Sequence, residues 1–292
     1  MTFEIVPPLF HDFIRLNGKW YPDKPAIITE DETLTWGELD RRSSQVANGL
    51  LGMGIGKGAS VALLMSNCTE YVEIMYGVLK AGAVIVPLNL AVNEEGLARM
   101  MEDSAAQAIF YTPDQFARLK NAPFDRVDPF AVVVGGAAGA ATYDAWRDAQ
   151  SDSQPAVSIG EDDPCNIIYS SGTTGLPKGI KHTYRRRVQS MYELSLAHRY
   201  HFAAVSICPI GLYSNIAWAS LFCALIVGGT CVVRSKFDVQ DWLQCVETHG
   251  VTHTFMVPIQ FQRILDAPTF RPERVASLEA VISGGAPLFQ DL

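Results

Sequence analysis

With 292 residues, 48% of them hydrophobic and 18% charged, the chain has the apolar content for a large core and the length for about two domain-sized units, as in an ordinary soluble globular protein. A formal net charge of -8 weighs against a nucleic-acid surface, and the local run Arg185-Arg186-Arg187 reads as a solvated helix face. The longest apolar run, Ile216 to Val227 with Ser220 inside it, is too short to span a bilayer, and the first residues lack the basic and apolar regions of a leader, so the chain is read as cytoplasmic.

In chain order, Leu9, Phe10, Phe13, Ile14 and Leu16 recur at helical spacing until Tyr21-Pro22-Asp23-Lys24-Pro25 breaks the pattern. A strand is predicted at 26–29, an extended piece at Leu34-Thr35, and a helix over 36–53 that Gly54 ends. Strands at 61–65, 83–87, 108–111 and 131–134 then alternate with helices over 69–81 and 93–104, with Thr69 and Asn93 as candidate caps. Such alternation gives parallel sheets with both faces covered. Between Gly135 and Glu161 the composition shifts to Gly, Ala, Ser and Asp around a short helix at Trp146, a connector that places the boundary between two αβ subdomains at about residue 160. The second subdomain, 161–292, reads as strands at 165–169, 179–182, 204–208, 230–233, 253–257 and 278–282. Helices are expected from Tyr184, capped by Thr183, over 216–227, over 239–248 and after Pro258.

The six cysteines are scattered without C-x-x-C spacing, and the six histidines form no H-E-x-x-H, so neither a metal site nor a metalloprotease is indicated and the thiols read as buried and free.

Between the strands at 165–169 and 179–182 lies Ser170-Ser171-Gly172-Thr173-Thr174-Gly175-Leu176-Pro177-Lys178-Gly179. Glycines let consecutive N–H groups converge on an anion, the hydroxyls of Ser170, Ser171, Thr173 and Thr174 add donors, and Lys178 supplies a compact positive charge. Gly172 and Gly175 are too close, and Gly179 follows the lysine, so this is not the loop of P-loop nucleotidases. Because the loop joins two strands, its amides rather than a helix dipole must hold the phosphate. A second string, Ser283-Gly284-Gly285-Ala286-Pro287-Leu288, follows the strand at 278–282 and falls at the carboxyl end of a strand, where parallel sheets bind ligands.

Together these strings resemble the adenylate-forming, AMP-binding superfamily, which includes acyl- and aryl-CoA synthetases, and Leu79 to Asn89 is similar to an early segment of the same family. The resemblance implies an α/β fold with layered subdomains and mostly parallel sheets, as in the large N-terminal domain of those enzymes. It implies activation of a carboxylic acid by ATP through an acyl-adenylate, then thioester formation with CoA, with Mg²⁺ required, in aromatic- or fatty-acid metabolism. By it, Ser170, Ser171, Gly172, Thr173, Thr174, Gly175 and Lys178 hold phosphate, and Gly284, Gly285, Ala286 and Pro287 line the adenine. For the acid pocket Tyr213, Met256 and Val257 are the candidates; Trp218 and Phe261 read rather as core.

Two departures matter. Pro209 to Asn215 lies where the family has P-x-x-H, with no histidine here and Tyr213 or Ser214 nearest. No Y-G-x-T-E string occurs, so the glutamate that organises Mg²⁺, the ribose aspartate and the adenylation lysine are expected beyond Leu292, and the chain reads as the N-terminal part of the enzyme, with the catalytic residues unassigned. On that reading the 292 residues alone release no pyrophosphate, and an open sheet edge and apolar face near 278–282 favour association. Two alternatives stand beside this reading: a noncatalytic nucleotide-binding or interaction module, and an amino-acid adenylation domain. The F-D-x-x-x-W string at Phe237 to Trp242 imitates the latter, but it follows the apolar helix and Gly228-Gly229 instead of preceding them, so Asp238 reads as a helix cap with Trp242 packed behind it.

Overall fold

The computed structural model describes residues 7–121, 130–134, 142–170 and 178–287. The chain begins with α1 (Phe10–Trp20), β1 (Pro25–Ile28), β2 (Thr33–Thr35), α2 (Trp36–Gly52), β3 (Ser60–Leu64) and α3 (Thr69–Lys80). It continues through β4 (Val84–Pro87), α4 (Glu94–Ser104), β5 (Ala108–Tyr111), α5 (Phe116–Asn121), β6 (Phe130–Val133) and α6 (Tyr143–Asp148). Then come β7 (Pro164–Ser170), β8 (Lys178–Thr183), α7 (Tyr184–Ala197), β9 (Val205–Cys208), α8 (Asn215–Ile226) and β10 (Thr230–Val233). The last elements are α9 (Val239–His249), β11 (His253–Met256), α10 (Pro258–Leu265) and β12 (Ala280–Ser283). The α/β class and the order of elements match the expectation, except for α5, a short helix between β5 and β6 that is not among the helices predicted from sequence.

Contacts divide the chain into two units: Met1–Pro22, Gly37–Met65 and Val72–Ser190 in one, Asp23–Trp36, Ser66–Tyr71 and Met191–Leu292 in the other. This differs from a division near residue 160 in two respects. The β7–β8 hairpin belongs with the first unit, because β7 pairs in parallel with β4 through Ile85 and Asn166. The early β1–β2 pair belongs with the second, because Ile27 and Ile28 pair in parallel with Cys231 and Val232 of β10.

In the first unit the sheet runs β6-β5-β3-β4-β7-β8, parallel except for β8, which turns back against β7. Strands β3, β4 and β5 are buried at every position, as continuous apolar runs must be when both faces are covered. Leu97, Met100 and Met101 of α4 pack with Leu64, Val86, Ile109 and Tyr169 in one core cluster. Asn93 Oδ1 caps α4 through Gly96 N at 2.9 Å, as expected. Thr183 Oγ1 accepts from Arg186 N at 3.3 Å at the start of α7, also as expected.

The expectation of a solvated Arg185-Arg186-Arg187 face fails at its third residue. Arg187 is buried, and its Nε donates to Oδ1 of the fully buried Asn166 at 2.8 Å. The 100° step of a helix turns Arg185 and Arg186 outward and Arg187 toward the sheet, and burial pulls the guanidinium down to about 10.

The second unit carries the sheet β12-β11-β9-β10-β1-β2, parallel except for β2. Helix α8 is apolar all round and buried from Ala217 to Ile226, as a helix inside a layered core must be. Trp242, Leu243 and Val246 of α9 pack with Ile207, Val232, Met256 and Ile264 in this unit's core. Asp238 accepts from Asp241 N at 3.0 Å as the α9 cap, and Trp242 is buried behind it. The edge strand expected near 278–282 is β12, where Val281 is 55% exposed beside an apolar cavity of about 270 Å³ lined by Trp242, Phe261, Leu265 and Leu278. Five of the six cysteines are buried thiols, and Cys68 is half-buried.

Candidate functional site

In the first unit, the site is set by how β7 and β8 end. The two strands pair from Pro164↔Thr183 to Ser170↔Lys178, so the ladder closes on the residues that bracket the glycine-rich string. Since β7 runs parallel to β4, Ser170 stands at the carboxyl edge of the parallel strands, the edge where such sheets hold ligands. Ser170 and Lys178 are both exposed there. Ser171, Gly172, Thr173, Thr174 and Gly175 lie outside the described residues.

The base of this hairpin is held by buried polar contacts. Tyr169 Oη lies 2.6 Å from Asp103 Oδ2 and 3.1 Å from Met100 O. Burial and the neighbouring carboxylate push this phenol well above its ordinary value, so it remains a donor. Beside Gly179, a Cβ would lie 2.9 Å from Ile167 Cγ2 and 3.1 Å from both Asp103 Oδ2 and Tyr169 Cε1, so only glycine fits without displacing the strand or its tie. On the other side of the hairpin, burial and the Arg187 charge depress His182 to about 4, which leaves the ring neutral near Asn166 Nδ2, 3.4 Å from Nδ1. The carboxyl edge therefore holds the ends of two firmly tied strands, with exposed Lys178 on one of them.

In the second unit, Gly284 N donates to Met256 O at 3.1 Å as β12 ends. The next residue, Gly285, has φ +78°, and a Cβ on it would stand 2.5 Å from Ile216 Cδ1 and 3.4 Å from Val257 Cγ1. The dihedral calls for glycine, whereas the close approach is to the flexible end of the Ile216 side chain. Ala286 and Pro287 follow on the surface. The string thus offers an uncovered stretch of backbone with Ile216 and Val257 beneath it.

The three acid-pocket candidates separate in this unit. Val257 is half-buried at the start of α10 and touches the Gly285 position. Tyr213 is also half-buried, in the turn before α8, and its ring lies across Gly211, where a Cβ would come within 2.2 Å of Cε1. Met256 is fully buried among Trp242, Leu243 and Ile264, a core position in which its side chain fills the layer between β11 and the helices. Trp218 is core as expected, with Nε1 donating to Leu212 O at 2.8 Å. Counting P-x-x-H from Pro209 puts Leu212 in the histidine's place; it is fully buried, so the pattern's polar group is replaced by packing. Ser214 Oγ accepts from Ala217 N at 3.3 Å and is occupied as the α8 cap.

Asn67 belongs to no motif or periodic pattern that would single it out. It lies in the short segment after β3, is buried, and holds Ile210, Leu212 and Arg234 through backbone hydrogen bonds at 2.8 to 2.9 Å. From sequence, Thr69 is the candidate cap of the helix that follows it. Thr69 is instead the first residue of α3, with Oγ1 3.0 Å from Thr29 Oγ1.

Among the described residues no group of three or more His, Cys, Asp or Glu side chains could hold a metal ion. No described helix is long and apolar enough to cross a membrane.

The family model described as "AMP-binding enzyme" matches residues 15–292. A feruloyl-CoA synthase from Amycolatopsis sp is 32% identical over 277 residues, 93% of this chain and 53% of that protein. The 4-coumarate–CoA ligase 5 of Oryza sativa subsp. japonica is 30% identical over 290 residues, 97% of this chain and 53% of that protein. Among solved structures, MatB from Rhodopseudomonas palustris, determined with ATP bound, superposes with a TM-score of 0.86 at 25% identity over 97% of this chain and 56% of that one. The fold is also that of the anthranilate CoA ligase AuaEII, solved with anthranoyl-AMP, at a TM-score of 0.89 and 22% identity over 98% of this chain and 55% of that chain. The chain spans about half the length of the curated relatives it matches.

Proposed function

Because the chain belongs to the AMP-binding enzyme family, we propose that it forms the nucleotide- and acid-binding part of an ATP-dependent carboxylic acid–CoA ligase. The observation that carries this reading is the position of the glycine- and hydroxyl-rich string, which starts and ends on the last paired residues of a hairpin at the carboxyl edge of a parallel sheet.

In the proposed reaction a carboxylate oxygen attacks the α-phosphorus of ATP, the bond to the β-phosphate oxygen breaks, and pyrophosphate leaves. The CoA sulfur then attacks the acyl carbon, its proton is lost, and AMP departs. The chain's own residues hold the groups that do not react. Ser170, Ser171, Thr173, Thr174, Lys178 and the amides at Gly172 and Gly175 bind the β- and γ-phosphates and stabilise charge on the leaving pyrophosphate. Bare backbone at Gly284 and Gly285, with Ala286 and Pro287, takes the flat adenine. Tyr213 and Val257 line the acid pocket, for which the named feruloyl-CoA synthase and 4-coumarate–CoA ligase suggest an aryl acid. The described residues provide no cluster fit for a metal, and no step here is assigned to Mg²⁺; CoA is the second substrate. An amino-acid activator would need an acidic residue near Tyr213 for the α-ammonium, whereas Asp238, the acid of the F-D-x-x-x-W string, is the exposed cap of α9.

Calorimetric titration of the 292-residue chain with ATP, pyrophosphate and AMP tests the phosphate assignment. Lys178→Ala should weaken ATP by one to two decades, the worth of a charge-assisted contact of about 1.5–3 kcal/mol, and leave AMP nearly unchanged. Equal weakening of both nucleotides would remove the polyphosphate role.

A further inference from the structure

The turn between β9 and α8 carries Tyr213, yet it lies outside any strand ladder, and its backbone groups need partners. Asn67 supplies them. Its carboxamide, 6% exposed, donates from Nδ2 to Ile210 O and to Arg234 O, both at 2.9 Å, and accepts at Oδ1 from Leu212 N at 2.8 Å. All three groups lie more than 140 residues away in sequence. Leu212 is held on its other side as well, since its carbonyl accepts from Trp218 Nε1 at 2.8 Å. Gly211 O accepts from Ser214 N at 3.0 Å, and Arg234 N donates to Cys208 O at 3.0 Å, so the turn is fastened to the ends of β9 and β10. Buried backbone groups without a partner are costly, and here a single side chain satisfies three of them.

The residue after this clamp is Tyr213. Its ring sits on the bare Cα of Gly211, where a Cβ would come within 2.2 Å of Cε1 and 2.7 Å of Cδ1. The ring can occupy that place only while 210–212 keep their path. We propose that Asn67 is a positioning residue for the acid site: by fixing Ile210 and Leu212 it sets the plane of the Tyr213 ring as one wall of the pocket. This rests on the reading in which Tyr213 lines the acid pocket. Asn67 itself, buried under the turn, touches only backbone by these bonds and acts through Tyr213.

Amide hydrogen exchange and ligand titration on the 292-residue chain test this together, with 4-coumarate as the acid probe and ATP as the control. In Asn67→Ala the Leu212 amide should exchange at least tenfold faster and 4-coumarate should bind at least fivefold more weakly, while ATP affinity stays within twofold of wild type. Asn67→Ser, a smaller loss, should fall between. Gly211→Ala should keep the Leu212 amide protected, because the three Asn67 bonds survive, yet weaken 4-coumarate by displacing the ring; it also serves if Asn67→Ala does not fold. Unchanged Leu212 exchange in Asn67→Ser, or parallel loss of ATP and 4-coumarate in the folded variants, overturns the proposal. If the wild-type chain binds ATP but no acid, the pocket reading fails, whereas the exchange rates still decide whether Asn67 holds the turn.

Discussion

Replacing Glu73 should destabilise the protein more than any surface carboxylate would. Glu73 sits on α3 with no solvent exposure, and its carboxylate receives Arg42 Nη1 at 2.8 Å, Tyr143 Oη at 2.7 Å and Arg147 Nη1 at 3.0 Å. These bonds tie α2 and the connector helix α6 to α3. Removing one partner of a buried ion pair costs about 3–5 kcal/mol, mostly because the remaining charge is left uncompensated. Arg147 keeps Asp144 at 3.1 Å and Asp148 at 2.9 Å, both on the surface side, so Glu73→Ala should fall at the lower end, about 3 kcal/mol. For a unit of this size that corresponds to a drop in Tm of about 6–12 °C. Glu73→Gln keeps the shape but meets three donors with one acceptor oxygen, and Tyr143→Phe removes one donor to the charged carboxylate, which should cost about 1.5–3 kcal/mol. Urea unfolding followed by circular dichroism, with thermal melts beside it, measures all three. A Glu73→Ala variant within about 1 kcal/mol of wild type would refute the view that this buried carboxylate anchors the connector.

Two further predictions concern single positions. Burial pulls Lys80 down to about 8, against the opposing pull of Asp40, with Nζ also 2.8 Å from Ser44 Oγ. Between that value and the ordinary 10.5, the unfolded chain binds the proton and the folded one does not. The stability attributable to Lys80 therefore rises with pH through that window, by up to about 1.4 kcal/mol per pH unit, and is at its lowest below pH 8. Subtracting the pH–stability curve of Lys80→Met from that of wild type isolates this rise, and a flat difference would contradict it. Gly285→Ala should cost about 1–2 kcal/mol, since φ +78° strains any residue with a Cβ. The contact with Ile216 Cδ1 is with the flexible end of a side chain, so adding Ile216→Ala should recover little of that loss in a double-mutant cycle by urea unfolding; full recovery would show that the dihedral is unimportant.

Much of this protein is written in local pattern. Strand and helix alternation was legible because buried parallel strands such as Val84–Pro87 are short apolar runs, while helices such as Glu94–Ser104 announce themselves with Asn93 and a first turn of acids. The string proposed to hold phosphate could be singled out because the residue types that such a role needs, glycines, hydroxyls and a lysine, are neighbours in the chain. Gly284-Gly285 was likewise singled out as a contiguous pair, although the φ of +78° at Gly285 appears only in the folded chain.

What depends on residues far apart in the chain was decided only by the tertiary structure. Strand 25–28 carries no mark that its partner is Cys231-Val232, some two hundred positions later, because backbone pairing has no side-chain code. Nothing in Arg185-Arg186-Arg187 says which member turns inward; the sheet beneath α7 and the amide of Asn166 choose Arg187. Met256 is a pocket candidate from sequence, where a methionine at such spacing can also be core, and the packing of α9 and α10 makes it core. Asn67 was invisible for the same reason. An asparagine is among the commonest residues of a turn, and its three partners meet it only when β9, β10 and the segment after β3 have been brought to one place.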